Sequence, residues 1–480
     1  MEEAMRFNAA GLATAGADMK SVRRCEYALE LLLTHRGDPS AEIERVLIDD
    51  PKSVFGHCLR AALIVLTDAV AARTSLAVSV AAIQAACPDA DNHAHRHAAA
   101  AQAWFDGDAS LAVERYGAIL IDWPRDILAL VVAHALDFRL GRRRMLRDRV
   151  ARILPDLEAT SPYYASALAM YAFGLEENGQ YDRAEKIARR ALAVDVRHPG
   201  AIHVMAHVME MQGRAREGLA FLAETESAWR EGTGFSVHLA WHRALFHLDA
   251  GDLEAAIATY DSQIGNAYAP GLSVLADASS LLWRLQLRNV DVAGRWRVLA
   301  DRWERQTLAG ARAFDVVHAM MAFAASGRTT AAARLIESFR QTDTTSASSL
   351  RPEEALAPPF CEALLAFARS DFSACVDWLT RVRHFAHRCG GSLAQCDLIH
   401  LTFTEAALRA RKDRLAGALV TERAARKPAS QLNRLLQRRL QAMVPASSDQ
   451  SPRQPDRQSR RNHANLKHKS SFPQSLSTAA

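Results

Sequence analysis

An all-α chain of stacked helix pairs is the fold class this sequence predicts, and three observations predict it. The composition suits helices: 49% of the 480 residues are hydrophobic, and Ala, Leu, Arg and Glu prevail over 23 Gly and 16 Pro. A helix–turn–helix pattern then recurs through residues 161–264. Its first copy, Ala167-Leu-Ala-Met-Tyr-Ala-Phe-Gly-Leu-Glu-Glu-Asn-Gly179, leads through Gln-Tyr-Asp-Arg-Ala184 into an apolar helix ending near Asp195, and the turn glycine returns at Gly213, 34 residues later, and at Gly251. Finally, Pro51, Pro88, Pro124, Pro155 and Pro199 fall 37, 36, 31 and 44 residues apart, about one helix pair each, as expected of residues that cannot continue a helix.

A 34-residue helical period is that of tetratricopeptide repeats, so the expected architecture is a right-handed α-solenoid of such repeats. Each repeat packs only on its neighbours, and one array can therefore run the length that would otherwise suggest about three domains. The expected organisation is a mobile leader over 1–20, a helical solenoid over 21–443 that is clearest at 93–126 and 161–264, and a disordered basic tail over 444–480. Helical patterning starts with 22–32 and 41–48. In the copy around Gly107, Ala100 and Ala112 take the small positions where paired helices cross, Tyr116 the large aromatic position and Pro124 the final proline. The same small pairs recur as Ala172 with Ala184, Ala206 with Gly218 and Ala244 with Ala256. Past residue 264 helices are expected at 277–286, 292–306 and 314–325, then a partner helix through Phe339, a long loop over 341–359, and helix pairs from Pro359 to about Met443. From Val444 the chain is Ser, Gln, Pro, Arg and His with almost nothing to bury.

The formal net charge of +5 is concentrated in that tail, where six Lys or Arg face Asp449 and Asp456. The body is close to neutral and carries no electrostatic footprint for nucleic acid. Seven scattered cysteines without a Cys-x-x-Cys pair read as reduced thiols, the amino terminus is not a secretory signal, and no apolar stretch is long enough to span a bilayer. A soluble, cytoplasmic protein is expected.

The chemistry-bearing residues lie in the central copies. With the turn glycine as position fifteen, His203, His207 and Glu210 fall at five, nine and twelve, on one face of the first helix of their pair, which in such repeats lines the concave groove. His57 and His97 take position five in earlier copies; His238 and His242 fall at two and six of the following one, with Trp241 beside them. Imidazoles four apart on a helix can share a divalent metal, and a carboxylate three residues further can complete the shell or act as a base. The competing reading is a polar groove whose histidines only hydrogen-bond. Trp104, Trp241, Trp283 and Trp378, with Met205, Met209 and Met211, read as packing residues, and His93 and His95 as solvated.

The run Tyr171-Ala-Phe-Gly-Leu-Glu-Glu, then Ala201-Ile-His203-Val-Met-Ala-His207-Val-Met-Glu210-Met-Gln-Gly213, then His238-Leu-Ala-Trp241-His242 resembles the tetratricopeptide repeat protein 38 family. The resemblance extends over about residues 55–427 and includes Gly390-Gly-Ser-Leu-Ala-Gln-Cys-Asp397 and Glu422-Arg-Ala-Ala-Arg-Lys427-Pro. It implies the repeat fold and no particular reaction. The approach Phe235-Ser-Val-His238 is less aromatic than the family's, and the tail has no counterpart in it.

Two functions are compatible with these residues. One is a concave groove that binds a segment of a partner protein. The other is an enzyme, or a binder of a small molecule or metal, built on His203, His207, Glu210, His238 and His242. Convergence of the five in an enclosed place favours the second, and dispersal along an open wall the first.

Overall fold

The computed structural model describes residues 18–67, 72–87, 92–231, 234–267, 271–308, 311–342 and 357–443. Among them are twenty-four α-helices, numbered here in chain order, and no strand. The first helix, α1, spans Met19–Leu33 with Asp18 as its N-cap, so the last two residues of the expected leader are helical. The rest of the leader, the Pro88 stop, most of the 341–359 loop and the whole tail lie outside the described residues. The loop is narrower than expected: α19 (Thr329–Thr342) and α20 (Ala357–Ala368) enter it from both sides.

Helices pack in sequence-adjacent pairs. α5 (His93–Phe105) lies on α6 (Ala109–Asp122), α9 (Tyr164–Glu176) on α10 (Tyr181–Val194), α11 (Pro199–Gln212) on α12 (Ala215–Glu224), and α14 (Gly234–Ala250) on α15 (Leu253–Thr259). Ala100, Ala112, Ala172, Ala184, Ala244 and Ala256 are all fully buried, as small residues at close crossings must be. Gly218 departs from this scheme: a Cβ there would lie 2.3 Å from the ring of Phe246, so its smallness admits an aromatic from α14.

The first helices of successive pairs also pack on one another, in the order α9, α11, α14, α16 (Leu272–Leu287) and α18 (Ala313–Ala325). That row carries the site. α11 has clear start and stop signals: Pro199 sits at the first helical turn, His198 Nδ1 accepts from the Ala201 amide at 3.2 Å, and Gly213 ends the helix at φ 72°.

The carboxy-terminal helices return to this centre. α22 (Leu393–Arg409) packs on both α11 and α16, and α24 (Gln431–Met443) on α14. Trp283 Nε1 donates to Thr402 Oγ1 at 3.0 Å, and Arg284 donates to the Ala394 carbonyl at 2.9 Å. Asp249 of α14 accepts from the amides of Gln431 and Leu432 and from the Ser430 hydroxyl, capping α24 from another part of the chain. No helix among the described residues is long and apolar enough to cross a membrane.

The return can be tested at two glycines with the same left-handed backbone. Gly179, at φ 73°, has open space where a Cβ would go, whereas a Cβ on Gly213 would lie 2.6 Å from the Ser430 backbone nitrogen. Gly179→Ala should cost about 1–2 kcal/mol, the left-handed penalty alone, and Gly213→Ala clearly more in denaturant unfolding. Equal losses would mean that the 427–431 segment does not bear on α11.

Candidate functional site

α11 and α14 bring four imidazoles together. His203, His207, His238 and His242 each offer one ring nitrogen within 4.8 Å of the others. Ring centroids are 4.4 Å apart for His203 and His207, 4.5 Å for His207 and His242, and 5.0 Å for His203 and His238. Neither His207 nor His242 is exposed to solvent, and the other two are nearly covered. The spacing of four on each helix puts two rings on one face, and packing of the two faces makes the cluster.

Two carboxylates hold rings by hydrogen bonds, and the carboxyl group of a third acid stands beside another. Asp277 of α16 accepts from His238 Nδ1 at 2.9 Å, and Glu210 of α11 accepts from His242 Nδ1 at 2.9 Å. Glu176 of α9 lies 3.4 Å from His207 Nδ1. A proton held on Nδ1 by a carboxylate leaves Nε2 with its lone pair free, which is how metal-ligating imidazoles are oriented. Neither ring nitrogen of His207 nor Nε2 of His242 has a hydrogen-bond partner among the described residues, and with Nδ1–H of His238 given to Asp277, Nε2 of His203 donates to Nε2 of His238 at 3.1 Å.

Aromatic side chains enclose the cluster. Trp241 is fully buried, stacks on His238 at 5.2 Å and donates from its indole to Ser280. Phe173 stands edge-on to His207 at 5.4 Å; Phe235 lies 5.1 Å from His203 and stacks on His35 from the end of α1. Burial pushes the pKa of His207 down to about 4, and burial with the neighbouring imidazoles pushes those of His203 and His242 well below the ordinary value. Neutral imidazoles are the metal-binding form.

Burial acts oppositely on two acids behind His207. Glu176 is raised to about 8 by burial and then by Glu210, and Glu177 to about 8 by burial and then by Glu176. Glu177 still accepts from the Leu393 amide at 2.9 Å and lies 3.3 Å from Arg143, which ties the site to α22. Lys427 reaches Glu210 at 3.3 Å.

The remaining groove candidates lie elsewhere. His57 is buried, with Nε2 donating to the Pro51 carbonyl at 2.9 Å and Nδ1 3.3 Å from Ser79. His97 belongs to a second cluster: His93 and His97 both donate from Nε2 to the same Asp126 oxygen at 2.7 Å, while the other oxygen caps α7 (Ile127–Arg139) at the Ala129 amide. His93 is therefore buried and paired, contrary to its expected solvation, and it stacks on Trp123. Here both Nε2 atoms carry protons and the carboxylate is saturated, so the trio ties two repeats together. Sequence reasoning missed Glu176, Glu177, Asp277 and Lys427; the signal was the Glu-Glu pair ending an otherwise apolar helix.

No protein-family model matches the chain.

The opposed shifts set the pH dependence of the metal-free protein. An unfolded imidazole takes a proton near 6.5 that His207 takes only near 4, so acidification through that window favours unfolding. Unfolded Glu176 and Glu177 release protons near 4.5 that the folded chain keeps to about 8, so alkalinisation through that window favours unfolding. Among these three groups, the imidazole and the acids oppose each other between about 4.5 and 6.5, and only the acids contribute from there to about 8. With chelator present, Glu176→Gln should gain on wild type by on the order of 1–3 kcal/mol near pH 9, and the gain should shrink towards pH 5. A pH-independent difference would show that Glu176 is ionised in the folded protein.

Proposed function

We propose that the protein is a metal-binding tetratricopeptide-like α-solenoid in which His203, His207, His238 and His242 hold one divalent transition ion between adjacent repeats. The observation that carries this reading is the convergence of the rings: one nitrogen of each lies within 4.8 Å of the others, and a carboxyl group faces Nδ1 of His207, His238 and His242. Four imidazole nitrogens in a largely covered place suit a first-row ion such as zinc at about 2.0–2.1 Å from each. Glu210 acts through His242 and Asp277 through His238 in the same role, while Glu176, its carboxyl raised by burial, stands beside His207. A shell closed by four protein ligands fixes one repeat against the next, and the ion would set the relative position of α11 and α14 and of everything packed on them.

Membership of the tetratricopeptide repeat protein 38 family is part of the same proposal, supported by the motifs quoted above. A cytoplasmic setting accords with seven free cysteines, four of them buried. Binding of an extended partner segment along an open groove has less support, because the polar residues that would line it are gathered together and covered.

Protein prepared without chelator should carry a single zinc-class ion per chain by elemental analysis, and strong chelation should lower its melting temperature. His207→Gln combined with His242→Gln should bring metal to background. His97→Gln should leave metal content unchanged while costing about 1–3 kcal/mol through the lost Asp126 bond. Wild-type protein that holds no ion and takes up none when titrated with zinc, cobalt, nickel or copper would refute the assignment.

A further inference from the structure

The two sequence motifs that the metal cluster leaves unused meet in one place. Residues of the Gly390–Asp397 run and of the Glu422–Lys427 run, 26 or more positions apart at their ion pair, line a cavity of about 420 Å³ beside α8 (Arg143–Ile153) and the 3-10 segment Arg383–Cys389. That volume lies within the range of small-molecule sites.

Its wall is strongly cationic. Arg143, Arg383, Arg423, Arg426 and Lys427 line it, against one carboxylate, Asp397. Arg423 grips Asp397 with both guanidinium nitrogens at 2.7 and 3.0 Å. The other cations are answered from outside the wall: Arg383 by Glu422 at 2.9 Å, Arg143 by Glu177 at 3.3 Å and Lys427 by Glu210 at 3.3 Å. Arg426 is exposed and has no ion-pair partner among the described residues. A molecule in the cavity would thus face five cations and a single anion, with His384, His387 and His400 as further donors.

The backbone adds to this field. The first residues of three helices, Arg143 of α8, Tyr181 of α10 and Leu393 of α22, all line the cavity, which places the positive ends of these helices beside it. α23 (Asp413–Arg426) brings its C-terminus to the same wall, and its negative end is covered by Arg426 and Lys427. Local structure keeps the wall in shape: Ser392 and Gln395 form a capping box at the start of α22, and Asn433 donates to the carbonyls of Arg423 and Lys427 at 2.9 and 3.1 Å.

We propose that this cavity binds a small molecule carrying two or more negative charges as phosphate or carboxylate groups. Planar guanidinium forks match both groups: Arg426 offers one that is unpaired among the described residues, Arg143 keeps donors beyond its contact with Glu177, and Arg383, Arg423 and Lys427 add positive charge around them. The site stands on the cavity's own residues and does not require a metal between α11 and α14.

Pyrophosphate and citrate are the two probes, titrated into the full-length protein by calorimetry and thermal melting against potassium chloride of equal ionic strength. At least one should bind saturably and raise the melting temperature, with affinity falling as salt rises. The tighter of the two identifies the anion class. Arg426→Glu, at an exposed position without an ion-pair partner among the described residues, should weaken binding at least about tenfold, a loss of 1.4 kcal/mol, while lowering the melting temperature without ligand only slightly, through the lost charge at the end of α23, and leaving the metal content unchanged. No saturable binding of either probe, or equal binding by Arg426→Glu, would overturn the proposal; loss of metal content in wild-type protein would bear only on the histidine cluster.

Discussion

Four imidazoles packed between two helices set the terms for the rest of this molecule. A buried polar group without a partner is costly, and α11 and α14 bring four within reach of one another, His207 and His242 buried and His203 and His238 partly so. The surrounding helices answer that cost directly. α16 supplies Asp277, α11 supplies Glu210 and α9 supplies Glu176, each set against an Nδ1 atom. What they leave unanswered is Nε2 of His242 and both ring nitrogens of His207, and an ion held by the four rings would answer that remainder.

The return of the C-terminal helices follows from the same centre. Glu177 and Glu210 are themselves buried charges or acids, and their partners come from far along the chain: the Leu393 amide on one, the Lys427 ammonium on the other. The α22–α24 region is thus the outer part of the polar network and also the wall of the cationic cavity, with Arg423 and Asp397 joining its two motifs. Arg143 and Lys427 stand between the two sites, each facing the cavity on one side and a carboxyl behind the histidines on the other.

Much of this was legible in the sequence, for local reasons. The repeat glycines, the paired small residues and the i, i+4, i+7 placement of His203, His207 and Glu210 depend only on helix geometry. The partners were hidden because they sit about one repeat away. Asp277 is 39 residues from His238 and reads as an ordinary position in an apolar helix. His93, alternating with Ala and Arg, looks solvated until Asp126, 33 residues on, folds against it. Gly218 was read as a crossing position within its own pair, and the residue that fills its space, Phe246, comes from the next. The contact of Gly213 with Ser430 joins residues more than two hundred positions apart, and periodicity carries no information about it.

X-ray absorption spectroscopy of the zinc-loaded protein tests the central claim most directly, because it reads the ligands rather than the affinity. The account predicts a single shell of four nitrogens at about 2.0–2.1 Å with the multiple-scattering pattern of imidazole, and loss of one imidazole in the His242→Gln protein. A shell dominated by oxygen or sulfur, or an imidazole count unchanged in that variant, would contradict it.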